Sequence, residues 1–112
     1  MFIVDTHLDL SYNAVLRGRD VTRPAMEQPV VDNEIATVGL PDLRKGGVGL
    51  ICGTIFSRPR SYRKDGYVTA DEAHAQAMKQ WGWYQEQFSR EELSLVKSAP
   101  QEIGRASCRE RV

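Results

Sequence analysis

Nine consecutive residues, Val48-Gly49-Leu50-Ile51-Cys52-Gly53-Thr54-Ile55-Phe56, carry no charge and set apolar groups at odd and even positions alike. A strand with one wet face alternates apolar and polar residues. A strand that is apolar on both faces belongs in a sheet covered on both sides, which is the habit of parallel sheets. Gly49 and Gly53 within it allow close backbone approach. A second β-rich run opens the chain, Phe2-Ile3-Val4-Asp5, and continues as Thr6-His7-Leu8-Asp9-Leu10.

Helical signals separate and follow these runs. Residues 11–16 read as a short helix or loop. Residues 17–24 read as loop, and 27–33, with Pro29 and no periodicity, as a surface excursion. Leu40-Pro41-Asp42-Leu43-Arg44-Lys45 reads as a short helix. Its proline suits the first turn, its cations the last, and Gly46 the position after the end. Ser57 to Gly66 reads as a polar loop. Thr69-x-x-Glu72 then forms a capping box that opens a helix to about Phe88. Ala73, Ala77, Trp81, Tyr84 and Phe88 give that helix one apolar stripe, which leaves Trp83 toward solvent. Leu93-Ser94-Leu95-Val96 reads as a third strand, and Ser98-Ala99-Pro100-Gln101 as a further helix start. Alternating strands and helices predict a parallel α/β fold.

Composition narrows the function. The 15 basic and 15 acidic residues cancel, which removes the case for a general nucleic-acid or anionic-membrane binder. No apolar run is long enough to span a bilayer. The N-terminus has no basic stretch leading into an apolar one, so the expected location is cytoplasmic. Two cysteines are too few for a disulfide scaffold. Cys52, inside an apolar strand, is expected to be a buried, inert thiol.

The last residues, Glu102-Ile103-Gly104-Arg105-Ala106-Ser107-Cys108-Arg109-Glu110-Arg111-Val112, resemble a sequencing adapter translated in frame. Residues 103–112 are therefore set apart from the fold. Without them the chain has two more acidic than basic residues, and Cys52 is the one thiol left. On this reading residues 1–102 are the N-terminal portion of a longer protein.

The chemistry concentrates at Asp5-Thr6-His7-Leu8-Asp9. Alternation along a strand puts Asp5, His7 and Asp9 on one face. An imidazole and a carboxylate two residues apart, at the end of a first parallel strand, suit a divalent cation such as zinc, manganese or iron. The plain alternative is a solvated His and Asp after a strand. Asp5 lies deeper and reads as a supporting residue. His74 reads as helix surface. The cations Arg58, Arg60, Arg63 and Lys64 follow the second strand, where barrel enzymes place their chemistry, and could attract a substrate carboxylate. Arg17 and Arg19 follow the first strand in the same way.

Two segments carry a family resemblance. Residues 2–13, with Asp5-Thr6-His7-Leu8-Asp9-Leu10, resemble the opening of the membrane (renal-type) dipeptidase family of metallopeptidases. So does Val38-Gly39-Leu40-Pro41-Asp42-Leu43-Arg44-Lys45-Gly46-Gly47-Val48-Gly49. The resemblance implies the N-terminal part of a TIM (β/α)8 barrel, a homodimer when full length, with two zinc ions and a dipeptide substrate. It implies that His7 and Asp9 ligate one zinc, while a bridging Glu and further His ligands come from later strands. A strand ending in Asp5 also resembles the opening of haloacid dehalogenase-type phosphatases, but the second Asp they need is here His7. Related amidohydrolases carry a second His where this chain has Asp9. The alternative from a different class is a small α/β binding module with no catalytic activity.

Overall fold

The computed structural model describes residues 1–98. The expected helix start at residues 98–101 falls mostly outside them, and the adapter-like residues 103–112 fall wholly outside. The described residues form a mixed α/β unit around a two-stranded parallel sheet. Strand β1 is Ile3–Leu8 and helix α1 is Leu10–Val15. A single 3-10 turn, Ala25–Glu27, follows. Helix α2 is Leu40–Lys45, strand β2 is Val48–Gly53 and helix α3 is Ala70–Ser89.

The link from α2 into β2 follows from its glycines. Gly46 is the helix C-cap with right-handed backbone (φ −78°), and Gly47 takes the left-handed φ of +81°. The stop thus lies one residue later than the sequence reading places it. The reversal lets β2 lie parallel to β1, with Val4 opposite Leu50 and Asp5 opposite Ile51. The register shifts between Asp5 and Leu8, where Leu8 comes to face Gly53. That irregularity breaks the simple alternation expected from Asp5 to Asp9.

Helix α3 begins at the expected capping box. Thr69 accepts a hydrogen bond from the Glu72 N–H at 3.2 Å, and Glu72 accepts from Val68 N–H and Thr69 N–H. Those two donors hold the Glu72 carboxyl below its ordinary value of 4.5. The buried residues of α3 are Gln80, Tyr84 and Gln87, so its inward face is centred between two glutamines. Trp81 and Phe88 flank that face edge to face, with ring centroids 6.2 Å apart. Trp83 is half-buried rather than turned outward, and sits edge-on to Tyr84. The core joins Leu10, Val21, Leu40, Tyr84 and Leu93, with Leu8, Ile51 and Trp81 packed around it. A Cβ on Gly53 would lie 2.6 Å from the Tyr84 hydroxyl, so glycine there is what lets α3 approach the end of β2.

Three features differ from the sequence reading. Strand β2 ends at Gly53, and Thr54 to Phe56 lie outside the ladder. Residues Leu93–Val96 are extended without joining the sheet. They instead form one wall of an apolar groove of about 400 Å³ that also takes in Ile51, Trp81 and Phe88. Cys52 is exposed, because the face of β2 that carries it has no covering layer among the described residues. Val4, 45% exposed on the face it shares with Leu50, is open for the same reason.

The excursion between α1 and α2 is anchored by arginines. Val31 and Glu34 bridge across a tight turn at Asp32 and Asn33, both with positive φ. Arg17, with only 3% of its side chain exposed, reaches that turn. Its Nη2 donates to Glu34 at 2.7 Å and to the Val31 carbonyl at 3.2 Å, and its Nη1 stands 3.2 Å from Asp32. Arg19 donates to Asn13 and to the Glu34 carbonyl.

Candidate functional site

The C-terminal ends of the two parallel strands meet at Leu8 and Gly53. His7 and Asp9 project there, with His7 Nε2 3.2 Å from Asp9 Oδ1 and side-chain exposures of 74% and 39%. Both donors reach solvent and each other. Imidazole nitrogen and carboxylate oxygen are donor types that zinc takes, and the two stand close enough to serve one ion. The pair therefore fits half of a zinc coordination sphere. Among the described residues, no cluster of three or more His, Cys, Asp or Glu side chains completes it.

Asp5 does not join the pair. Its Oδ1 accepts from the His7 backbone N–H at 2.9 Å. It thereby braces the strand ahead of His7. His74 is exposed on α3.

Asp9 is oriented from β2. Thr54 Oγ1 donates to Asp9 Oδ1 at 2.5 Å, while Thr54 N–H donates to the Leu8 carbonyl at 3.0 Å. Thr54 is held in turn through its own carbonyl, which accepts from Ser11 Oγ at 2.9 Å and from the Tyr84 hydroxyl at 3.0 Å. Burial raises Tyr84 above its ordinary pKa of 10.0, so its proton stays available for that bond.

Gln80 fixes the next two residues. Its Oε1 accepts from Phe56 N–H at 3.2 Å and, at 3.0 Å, shares the single Ser11 hydroxyl proton with the Thr54 carbonyl, and its Nε2 donates to the Phe56 carbonyl at 2.5 Å. One amide thus supplies both bonds that a neighbouring strand would supply. Ser11 and Gln80 are fully buried. Thr54, Ser11 and Gln80 were not among the residues singled out from the sequence, and Tyr84 was read there only as part of the apolar stripe. The one signal for them is Gln80 itself, an amide four residues before Tyr84 on the inward side of an otherwise apolar stripe.

The loop cations divide by partner. Arg63 is committed to Asp32 at 3.1 Å and Asp65 at 3.6 Å. Arg17 and Arg19 hold the excursion and take no part in the strand ends. Arg60 and Lys64 are exposed. Arg58 lies over aromatic rings, with its guanidinium carbon 5.8 Å from the Tyr12 and Phe56 centroids and 5.1 Å from that of Tyr62. Tyr12 and Phe56 are stacked, 4.4 Å apart with 13° between planes.

The apolar groove adjoins this site through Gly53 and Tyr84, but neither His7 nor Asp9 lines it. Among the described residues no helix is long and apolar enough to cross a membrane. No protein-family model, no curated protein and no solved structure matches this chain.

Proposed function

We propose that residues 1–102 are the N-terminal portion of a (β/α)8-barrel metallo-dipeptidase in which His7 and Asp9 hold one of two zinc ions. The observation that carries the reading is the 3.2 Å approach of His7 Nε2 and Asp9 Oδ1 at the C-terminal end of β1, the end where barrel enzymes carry their ligands. The resemblance of residues 2–13 and 38–49 to the renal-type dipeptidases supports it. Bound zinc supplies an acidified water and polarises the scissile carbonyl.

The chain's own part is to present two donors in a fixed attitude. Asp5 braces the backbone at His7, and Thr54 holds the Asp9 carboxylate. His7 ligates as the neutral imidazole and is not the base. The remaining ligands, the bridging Glu among them, belong to strands beyond these residues, and the 112-residue chain is inactive on its own. A dipeptide substrate, a homodimer of the full barrel and a cytoplasmic location are parts of the same proposal.

The test is paramagnetic broadening by Mn²⁺ on the complete chain. The His7 ring signals should broaden at sub-stoichiometric metal, and Asp9→Asn should weaken this roughly tenfold or more. Broadening spread evenly over surface carboxylates, or unchanged in Asp9→Asn, would sink the assignment.

The second reading is a small α/β binding module without catalysis. It is favoured by the buried cluster of Leu10, Val21, Leu40, Tyr84 and Leu93. Reading the source DNA past the codon for Gln101 separates the two: a frame that continues through further strands supports the barrel fragment, and one that stops at Val112 supports the module.

A further inference from the structure

We propose that Arg58 is a carboxylate-binding site, taking the carboxylate of a small acid or peptide against the rings of Tyr12, Phe56 and Tyr62. The site stands whether or not His7 and Asp9 hold a cation.

The first argument is pre-organisation. The Arg58 backbone is pinned, since its carbonyl accepts from Tyr67 N–H at 2.9 Å and Arg60 N–H donates to the Tyr67 carbonyl at 2.9 Å. The guanidinium carbon then lies 5.1–5.8 Å from three ring centroids, against the edge of the Tyr12–Phe56 stack and beside Tyr62, close enough for those rings to restrict it. Two of those rings are themselves fixed. Tyr12 is buried on α1, and Phe56 is clamped through its main chain by Gln80. A side chain that usually loses much rotamer freedom on binding has already lost it here.

The second argument is that its donors are unspent. Arg17, Arg19 and Arg63 are bound to carboxylates or carbonyls. The Arg58 side chain makes no hydrogen bond or ion pair with any described residue, although the residue is half-buried. None of its nitrogens is cut off from solvent. Five N–H groups in a planar fork, none of them spent within the chain, match a planar carboxylate in two parallel bonds. The aromatic surroundings add contact for an apolar group on the same ligand.

The test uses the complete chain, labelled with nitrogen-15, and follows the arginine Nε–Hε signals during titration with hippurate. Hippuramide, the same molecule with a neutral amide, is the control. A saturable shift of the Arg58 signal by hippurate, at least about tenfold weaker for hippuramide, is expected. Arg58→Met should abolish hippurate binding, Arg58→Lys should weaken it about tenfold, and Arg60→Met should leave it within twofold. Binding that persists in His7→Ala places the carboxylate site apart from any metal. Equal shifts by acid and amide, loss on Arg60→Met, or tighter binding of inorganic phosphate would each overturn the proposal. The acid–amide comparison decides it in the unaltered chain, whatever the variants do to folding.

Discussion

Gln80 gives the sharpest perturbation. Replacing it with Met keeps length and volume while removing both ends of the amide, so the cavity term is small. Phe56 N–H and C=O, partnered at 3.2 Å and 2.5 Å, then lose their acceptor and donor. Ser11 keeps the Thr54 carbonyl as a partner and contributes little to the loss. Leaving a buried polar group unmet costs about 1–3 kcal/mol. Phe56 is only half-buried, so the lower part of that range applies, about 1–2 kcal/mol per group. The expected loss is about 2–4 kcal/mol, or roughly 10–25 °C in Tm for a unit of this size.

Gln80→Glu separates hydrogen bonding from packing. A carboxylate can accept from Phe56 N–H but cannot donate to Phe56 C=O, and it is charged in a buried place. The folded chain therefore prefers the protonated form, and its carboxyl pKa rises above the unfolded value. Stability of Gln80→Glu is then present below the unfolded pKa of about 4.3 and lost as pH rises through the folded one. Urea denaturation followed by circular dichroism at pH 4 and pH 7, on Gln80→Glu and Gln80→Met together, reads the difference directly. A loss below about 0.5 kcal/mol in Gln80→Met, well under one unmet group, or no pH dependence of Gln80→Glu relative to it, would refute the reasoning.

Four further outcomes are expected. Wild-type stability should fall as pH rises above 10.0, where Tyr84 would ionise when unfolded but is held neutral when folded. Tyr84→Phe should reduce that slope in alkaline denaturation, leaving the part that buried Tyr12 contributes, and cost about 1 kcal/mol at neutral pH. Thr69→Ala should remove the α3 cap at a cost of about 1 kcal/mol, read from the urea midpoint. Arg17→Met should cost about 1–2 kcal/mol rather than the 3–5 of a doubly buried pair, because Asp32 and Glu34 are 69% and 61% exposed and rehydrate. Loss of amide-exchange protection at Val31 and Glu34 should accompany it.

The elements most legible in the sequence are those set by local chemistry. The Thr69–Glu72 box, the proline-led helix at Leu40 and the apolar run of β2 each need only neighbours a few residues away. Elements that depend on a distant partner were not legible. Apolar periodicity extends β2 to Phe56, but a side chain from α3 takes the Phe56 backbone before a ladder can. Leu93–Val96 has the composition of a strand, and strand composition alone does not supply a pairing edge. Cys52 reads as buried from its apolar neighbours, yet burial depends on what covers β2. At the site, His7 and Asp9 stand out by spacing and family resemblance. Thr54 does not, because its role arises only when the two strand ends meet.

The main chain of the segment from Thr54 to Phe56 is gripped through the Thr54 carbonyl and both polar groups of Phe56, and the Phe56 ring adds only its stack on Tyr12. Holding the loop and choosing what it touches are therefore separate jobs. The ring at position 56 can be exchanged for another without loosening the grip, so variation there can retune recognition while the scaffold keeps its shape. A library randomised at position 56 should keep its fold far more often than one randomised at position 80.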